Sequence, residues 1–260
     1  MDKNVHKKVF FVSDFHLGAD ALLSSEAREK KIVSWLSEIE DEVEELYLVG
    51  DVFDYWYEYR KVVPKGFSRI LGKLAAYRDK GIPVYFFTGN HDMWMFRYFE
   101  DEYGIPTYRE PLIKEIFGQT FYIGHGDGLG PGDKGYKFIK SVFGHKFSQW
   151  LFSLIHPDLG IGLMKFFSSK SRKYTGEEAP FTDPAKEWLV HYCENYVVKD
   201  SIDYFVFGHR HLPIDYKLSN GKSRYINLGE WLYTCSYGVW DGDEFQIKFY
   251  NSEHTHIYGM

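Results

Sequence analysis

The chain has 260 residues, 19% of them aromatic, a mass of 30.7 kDa and a formal net charge of −6. This suits one large domain or a core with an insertion, and excludes a disordered chain and a globally basic nucleic-acid binder. No uncharged stretch approaches the roughly 18 residues of a membrane span, the N-terminal residues do not read as a signal peptide, and Cys193 and Cys235 alone build neither a disulfide framework nor a paired-cysteine metal site. A soluble, cytosolic protein is the expectation.

Strands and helices alternate through the first half. Val9–Ser13 is a short run of β-formers, the mark of a buried strand. Ser24–Ile39 has helical spacing, with Ala27, Ile32, Trp35, Leu36 and Ile39 on one stripe. Leu46–Val49 predicts a second strand, Phe67–Lys80 a helix closed by Gly81 and Pro83, and Val84–Thr88 a third strand. The alternation predicts parallel pairing in a layered α/β domain. Further on, Leu112–Phe117 and Thr120–Gly124 flank a Gly-Gln turn. Lys186–Val198 reads as a helix and Tyr204–Phe207 as a strand. Two more hairpins are predicted, Tyr216–Leu218 with Arg224–Asn227 and Tyr237–Trp240 with Phe245–Phe249. The sum is a two-sheet β-sandwich flanked by helices, an α/β (α+β layered) architecture.

Residues 134–173 break the pattern. They hold eight basic residues against the single acid Asp158, a local +7 that leaves −13 for the rest, together with eight aromatics. A basic, aromatic insertion in an acidic protein suits an anionic or amphiphilic partner. The predicted organisation is a core of residues 1–133 and 174–260 with residues 134–173 as a helical lid, Phe138, Phe143, Trp150 and Phe152 forming an apolar cleft.

Five short motifs follow predicted strands: Asp14-Phe-His16, Gly50-Asp51, Gly89-Asn90-His91-Asp92, Gly124-His125-Gly126-Asp127 and Gly208-His209-Arg210-His211. Each alone is ordinary turn chemistry. Together they point to one site, because ligands of α/β sheets gather beyond the carboxyl ends of strands. The candidate metal ligands are Asp14, His16, Asp51, Asn90, His125, His209 and His211. Without a thiolate, a closed structural zinc site is disfavoured. Mixed oxygen and imidazole donors suit manganese, iron or zinc in an open catalytic site. Seven ligands exceed one ion but fit two, if one carboxylate bridges, the arrangement that clamps attacking and leaving oxygens at phosphorus.

In this order the motifs resemble the complete signature of the calcineurin-like metallophosphoesterases. The resemblance implies that Asp14, His16 and His211 hold one metal, that Asn90, His125 and His209 hold the other, and that Asp51 bridges. Asp51, Asn90 and His91 would carry catalysis, with His91 steadying the transition state or protonating the leaving group. A narrower resemblance, carried by Gly50-Asp51-Val-Phe53-Asp-Tyr-Trp56 and by His125-Gly-Asp127-Gly-Leu129 running into Asp133-Lys-Gly135-Tyr136, is to the UDP-2,3-diacylglucosamine pyrophosphatases of lipid A synthesis. It implies a dinuclear hydrolase, manganese foremost with iron or zinc as alternatives, releasing UMP and 2,3-diacylglucosamine 1-phosphate. Asn90, His91, Asp133, Ser169, Lys170, Ser171, Arg172, Lys173 and His209 would contact this nucleotide-linked glycolipid. The chain departs from that group in having His91 where arginine is usual and Arg210 where threonine is usual. The rival readings are a metallophosphoesterase acting on a cyclic nucleotide, a phosphoprotein or a nucleic-acid end, and a non-catalytic scaffold of the same fold. The expected setting is the cytoplasm, peripherally on the anionic cytoplasmic face of the inner membrane, with no nucleic acid and no obligatory protein partner.

Overall fold

A computed structural model describes residues 7–130, 134–198 except 176–179, and 200–260. Two mixed sheets face each other. The first joins β1 (Lys8–Val12), β2 (Val43–Val49), β3 (Val84–Phe87), β4 (Thr107–Tyr108), β10 (Ser236–Trp240) and β11 (Phe245–Phe249) in the order β11-β10-β1-β2-β3-β4. The second joins β5 (Leu112–Ile116), β6 (Gln119–Ile123), β7 (Tyr204–Phe207), β8 (Pro213–Lys217) and β9 (Arg224–Leu228) in the order β5-β6-β7-β9-β8. The pairs β1–β2, β2–β3 and β3–β4 are parallel, as are β6–β7 and β7–β9, while the hairpins and β1–β10 are antiparallel.

The alternation of side chains along a strand explains the layers. In β1, Val9 and Phe11 point between the sheets, where Phe11 stacks on Tyr47 and on Phe121 of the opposite sheet at ring distances of 4.9 and 5.6 Å. Phe10 and Val12 point outward against α1 (Ser25–Ile39) and α2 (Ser68–Asp79), which bury Ile32, Trp35, Leu36, Ile70, Leu74 and Tyr77. On the far side, α7 (Trp188–Val197) buries Leu189, Val190 and Cys193 against Phe205 and Phe207.

Three differences from the sequence reading have local causes. Strand β2 begins at Val43 rather than Leu46, because β1 continues pairing across a register shift at Lys8 and Val9. The short α3 (Tyr98–Tyr103) and β4 escape periodicity: α3 is initiated by Glu58, whose carboxylate accepts the backbone N–H groups of Phe96, Arg97 and Tyr98. The predicted helix from Lys186 begins instead at Trp188, after a single 3-10 turn capped by Asp183.

Residues 134–175 form α4 (Lys134–Gly144), α5 (Lys146–Ser153) and α6 (Pro157–Thr175). They rest on the loops after β2 and β3. Tyr57 Oη donates to the Gln149 carbonyl at 2.6 Å, and Trp94 Nε1 donates to the Phe143 carbonyl at 2.8 Å. Phe152 packs against Tyr57 and Trp94 at ring distances of 4.7 and 4.6 Å.

Helix α2 has no cap of its own, since Phe67 precedes it in a left-handed conformation without a capping side chain. The buried Glu29 of α1 substitutes, accepting N–H bonds from Arg69 and Ile70 at 2.9 and 3.1 Å. This cap also fixes how the two helices meet. Glu29→Ala is expected to destabilise the fold by about 1–2 kcal/mol, through a lost cap and two N–H groups left without that acceptor. Urea unfolding checks this, and an unchanged midpoint would remove Glu29 from that role.

Candidate metal centre

All seven predicted ligands gather beyond the carboxyl ends of β1, β2, β3, β6 and β7. The loops after β1 and β2 run side by side, with Asp14 N bonded to Gly50 O and His16 N to Asp51 O, both at 3.0 Å. Five of the seven adopt a left-handed backbone: Asp14, His16, Asp51, His209 and His211 have φ of 55°, 45°, 50°, 66° and 51°. Such residues persist only where surrounding structure over-determines them, and they concentrate at functional sites. Two glycines admit the crowding. A Cβ on Gly50 would collide with the His125 ring, and one on Gly89 with the Asp51 carboxylate.

The donor atoms converge. His211 Nε2 lies 3.1 Å from Asp14 Oδ1 and 3.1 Å from His16 Nε2, and His16 Nε2 lies 3.6 Å from Asp14 Oδ1. Asn90 Oδ1 lies 3.0 Å from His209 Nδ1 and 3.3 Å from His125 Nε2. One oxygen of Asp51, Oδ2, stands between the two sets, 3.9 Å from His16 Nε2 and 3.4 Å from His125 Nε2. Two facing imidazole nitrogens beside a buried carboxylate oxygen that makes no well-formed hydrogen bond, Asp14 Oδ1, are what a cation requires. The donor set therefore fits divalent metal ions.

The electrostatics agree. Burial disfavours charge on His16 and His125, yet the carboxylates outweigh it: Asp14, Asp54 and Asp51 push His16 up to about 10, and Asp51 leads in pushing His125 up to about 10. Burial also opposes ionisation of Asp14 and Asp51, but the surrounding imidazoles hold both carboxyls below their ordinary range. Burial and His125 together push His209 down to about 4.

His91 sits at the rim. Its Nδ1 faces the Asp54 carbonyl at 3.0 Å and the Asp54 carboxylate at 3.7 Å, which leaves Nε2 as the nitrogen able to meet a substrate. His91 also falls within 4.8 Å of donor atoms of His16 and Asp51. Of the expected substrate contacts, Asn90, His91 and His209 join the centre, and Ser169 lies on α6. Asp133 and the side chains of Lys170, Ser171, Arg172 and Lys173 lie outside the described residues, as does that of Phe138.

Beside Asn90 and His91 opens a cavity of about 550 Å³, walled by Trp94, Phe143, Phe152, Leu163, Met164 and Phe167. Phe143 and Phe152 are where the cleft was expected. Trp150 is not: it lies against Phe147 with its ring tilted and is 56% exposed, because α5 turns Phe152 inward instead.

Four supporting residues had no role in the sequence reading. Arg28 is buried and donates to the carbonyls of Phe15, His16, Ala19 and Leu23 at 2.8, 2.6, 2.5 and 3.2 Å. The signal was present, since position 28 falls on the apolar stripe of α1, four residues before Ile32. Asp92 accepts from Gly89, Val52 and Phe53 at 2.7, 2.9 and 3.3 Å, tying the β2 and β3 loops together. Asp54 and Asp127 stand inside the recognised motifs: Asp54 behind His16 at 3.4 Å from Nδ1, and Asp127 paired with Lys140 of α4 at 2.6 Å, while the Val49 carbonyl backs His125.

A buried cluster of carboxylates and imidazoles at the strand ends of a two-sheet sandwich defines a metal-dependent phosphoesterase. The profile of the calcineurin-like phosphoesterases matches residues 7–213, and the chain belongs to that family. It is 35% identical over 252 residues to the UDP-2,3-diacylglucosamine hydrolase of Porphyromonas gingivalis, covering 92% of this chain and 95% of that protein. It is 24% identical over 241 residues to the enzyme of the same name from Shewanella sp. ANA-3, covering 93% and 97%. A hypothetical protein of Pyrococcus horikoshii OT3 of known structure shares the fold with a TM-score of 0.51 at 11% identity, covering 95% of this chain and 88% of that one.

Metal ligation requires neutral imidazole nitrogens, so binding must displace the protons of His16 and His125. Both groups are protonated below about pH 10, so apparent affinity rises with pH up to that point. Two displaced protons correspond to about a hundredfold gain from pH 7 to pH 8. Isothermal titration of Mn²⁺ in buffers of different ionisation enthalpy measures the proton release; none released would contradict the ligand set.

Proposed function

We propose that the protein hydrolyses the pyrophosphate of UDP-2,3-diacylglucosamine, giving UMP and 2,3-diacylglucosamine 1-phosphate. The observation that carries the substrate is the apolar cavity, because it shares Asn90 and His91 with the metal centre. A cyclic nucleotide or a phosphoprotein has no use for an apolar cleft of this size against the reacting phosphate. The names of the relatives point the same way.

Two ions fit the donors, with Asp14, His16 and His211 around one, Asn90, His125 and His209 around the other, and Asp51 between them. Manganese is the favoured metal, given oxygen and imidazole donors without sulfur. When bound, such ions supply Lewis-acid polarisation of phosphoryl oxygen and stabilise developing charge. The chain's own groups do the rest. Asn90 faces both the second donor set and the cavity, and so orients the phosphate. His91 donates through Nδ1 to the Asp54 carbonyl, and burial holds its pKa below the ordinary value, so Nε2 faces the phosphate as a neutral nitrogen and would serve the leaving oxygen as an acid only after taking up a proton. Lys140 of α4 is the one lysine or arginine among the described cavity-lining residues. Its ammonium is fixed by Asp127 at 2.6 Å, and it can meet the phosphate that the metals do not hold.

Residues 134–173 act as the lid. Phe147, Leu151, Leu154 and Phe166 of this segment are exposed, as is Lys146, a pairing of apolar and basic groups suited to an anionic membrane surface. No helix among the described residues is long and apolar enough to cross a membrane. Peripheral attachment at the cytoplasmic face of the inner membrane therefore accompanies this reading.

Two outcomes test it. Each methylene removed from the acyl chains should weaken substrate binding about fourfold, from roughly 0.8 kcal/mol per buried CH₂, and UDP-glucosamine without acyl chains should be turned over poorly. Steady-state kinetics over a chain-length series checks this; indifference to the acyl chains would sink the substrate assignment. Separately, Asp51→Ala should abolish turnover and lower occupancy of both ions in metal analysis, whereas Asp14→Ala should act mainly on one.

A further inference from the structure

One tie between the lid and the metal centre is not explained by packing. Ser168 of α6 is buried and donates through Oγ to Asp54 Oδ2 at 2.6 Å, across 114 positions of sequence. The other oxygen of the same carboxylate, Oδ1, lies 3.4 Å from His16 Nδ1. Both side chains of that second contact are buried, and Nδ1 of His16 has no well-formed hydrogen bond, so the Asp54 carboxylate is the charged group it faces at ion-pair distance. The opposite nitrogen of His16, Nε2, is the one turned toward Asp14, Asp51 and His211. A carboxylate behind a ligand imidazole fixes its tautomer and ring orientation and raises its basicity as a donor.

We infer that Ser168 is a positioning residue: it sets the place of Asp54, and through Asp54 the orientation of His16 as a metal ligand. The seat of α6 is thereby read at the metal centre. Leu163, Met164 and Phe167 of this helix line the cavity next to Ser168. An occupant that presses on that wall bears on the element that holds Asp54, so lid and metal centre are coupled. By linkage the coupling is reciprocal: a well-seated α6 favours metal binding, and bound metal favours a well-seated α6. On the other flank the lid also meets the ligand loops, where Lys140 of α4 pairs with Asp127, but there the nitrogen behind the ligand His125 faces the Val49 carbonyl at 2.9 Å.

The inference rests on the metal centre proposed above, and its test reads metal affinity rather than turnover. Mn²⁺ binding is measured by isothermal titration on the intact chain for Ser168→Ala, Ser168→Thr, Asp54→Asn and the double variant Ser168→Ala/Asp54→Asn. Loss of a partner directly behind a ligand costs on the order of 10–100-fold in metal affinity, and that is expected for Asp54→Asn. Ser168→Ala, one contact further away, is expected to weaken binding by about 3–10-fold, on the scale of coupling through packed networks, with Ser168→Thr restoring it by keeping the hydroxyl. In the Asp54→Asn background, Ser168→Ala should add little, since residues acting in series are not additive. Unchanged Mn²⁺ affinity in Ser168→Ala, or full additivity in the double variant, would overturn the relay while leaving the metal centre standing. Failure of the unaltered protein to bind Mn²⁺ would overturn both.

Discussion

Four backbone carbonyls around His16 turn toward one guanidinium, that of Arg28, which is shut off from water inside α1 and the loop it holds. An arginine can do this where a lysine cannot, because its planar fork reaches several acceptors in fixed directions. The loop needs holding: Asp14 and His16 both sit in left-handed conformations that cost free energy unless the surroundings impose them. Burial lowers the Arg28 pKa, while Asp54 leads the groups that oppose the shift. The buried cation is therefore part of the site's charge balance as well as its scaffold. Asp92 does the complementary job from the anionic side, gathering N–H groups of the next two loops.

The sheets explain why these loops meet at all. In β1, β2 and β3 the chain runs the same way, and β6 and β7 do so in the opposing sheet. The carboxyl ends of all five strands therefore open along one end of the sandwich, and the inter-sheet core of Phe11, Tyr47, Phe121 and Trp240 keeps the two sets in register. Parallel strands must be joined by crossovers, and α1, α2 and α7 lie along those connections. They cover the outer faces and leave the ligand edge to the loops.

Much of this was legible because strand ends followed by Asp, Asn and His in fixed combinations carry both fold and chemistry. The ligand loops declared themselves through residue type, and the sandwich through strand runs and turns. What stayed hidden depends on tertiary partners. Helix α3 exists because Glu58 caps it from a distance, and β4 because β3 offers it an edge, so neither leaves a periodic trace. Asp54 and Asp127 were visible as letters in the motifs, but only folding shows that one stands behind His16 and the other pairs with Lys140 of the lid. In the lid, composition announced apolar and basic character without saying which aromatics face inward. The fold of α5 decides that Phe152 enters the cavity and Trp150 does not.

The juxtaposition of an apolar cleft with a charged centre has its own logic. Electrostatic interactions strengthen as water is excluded, so hydrocarbon seated against Trp94, Phe143 and Phe167 does more than fill the cleft. It lowers the dielectric on the side of Asn90 and His91 where phosphate charge must be neutralised. The same exclusion makes any unpaired polar group expensive, and the polar groups nearest the cavity are correspondingly held: Lys140 by Asp127, Asp54 by Ser168, and His91, which burial keeps toward its neutral form, by the Asp54 carbonyl. A lid that carried only hydrophobic residues would wall the cleft without arranging these groups. By placing Lys140 and Ser168 on the helices that form the cleft wall, the chain makes the surface that receives hydrocarbon the same surface that sets the polar geometry beneath it.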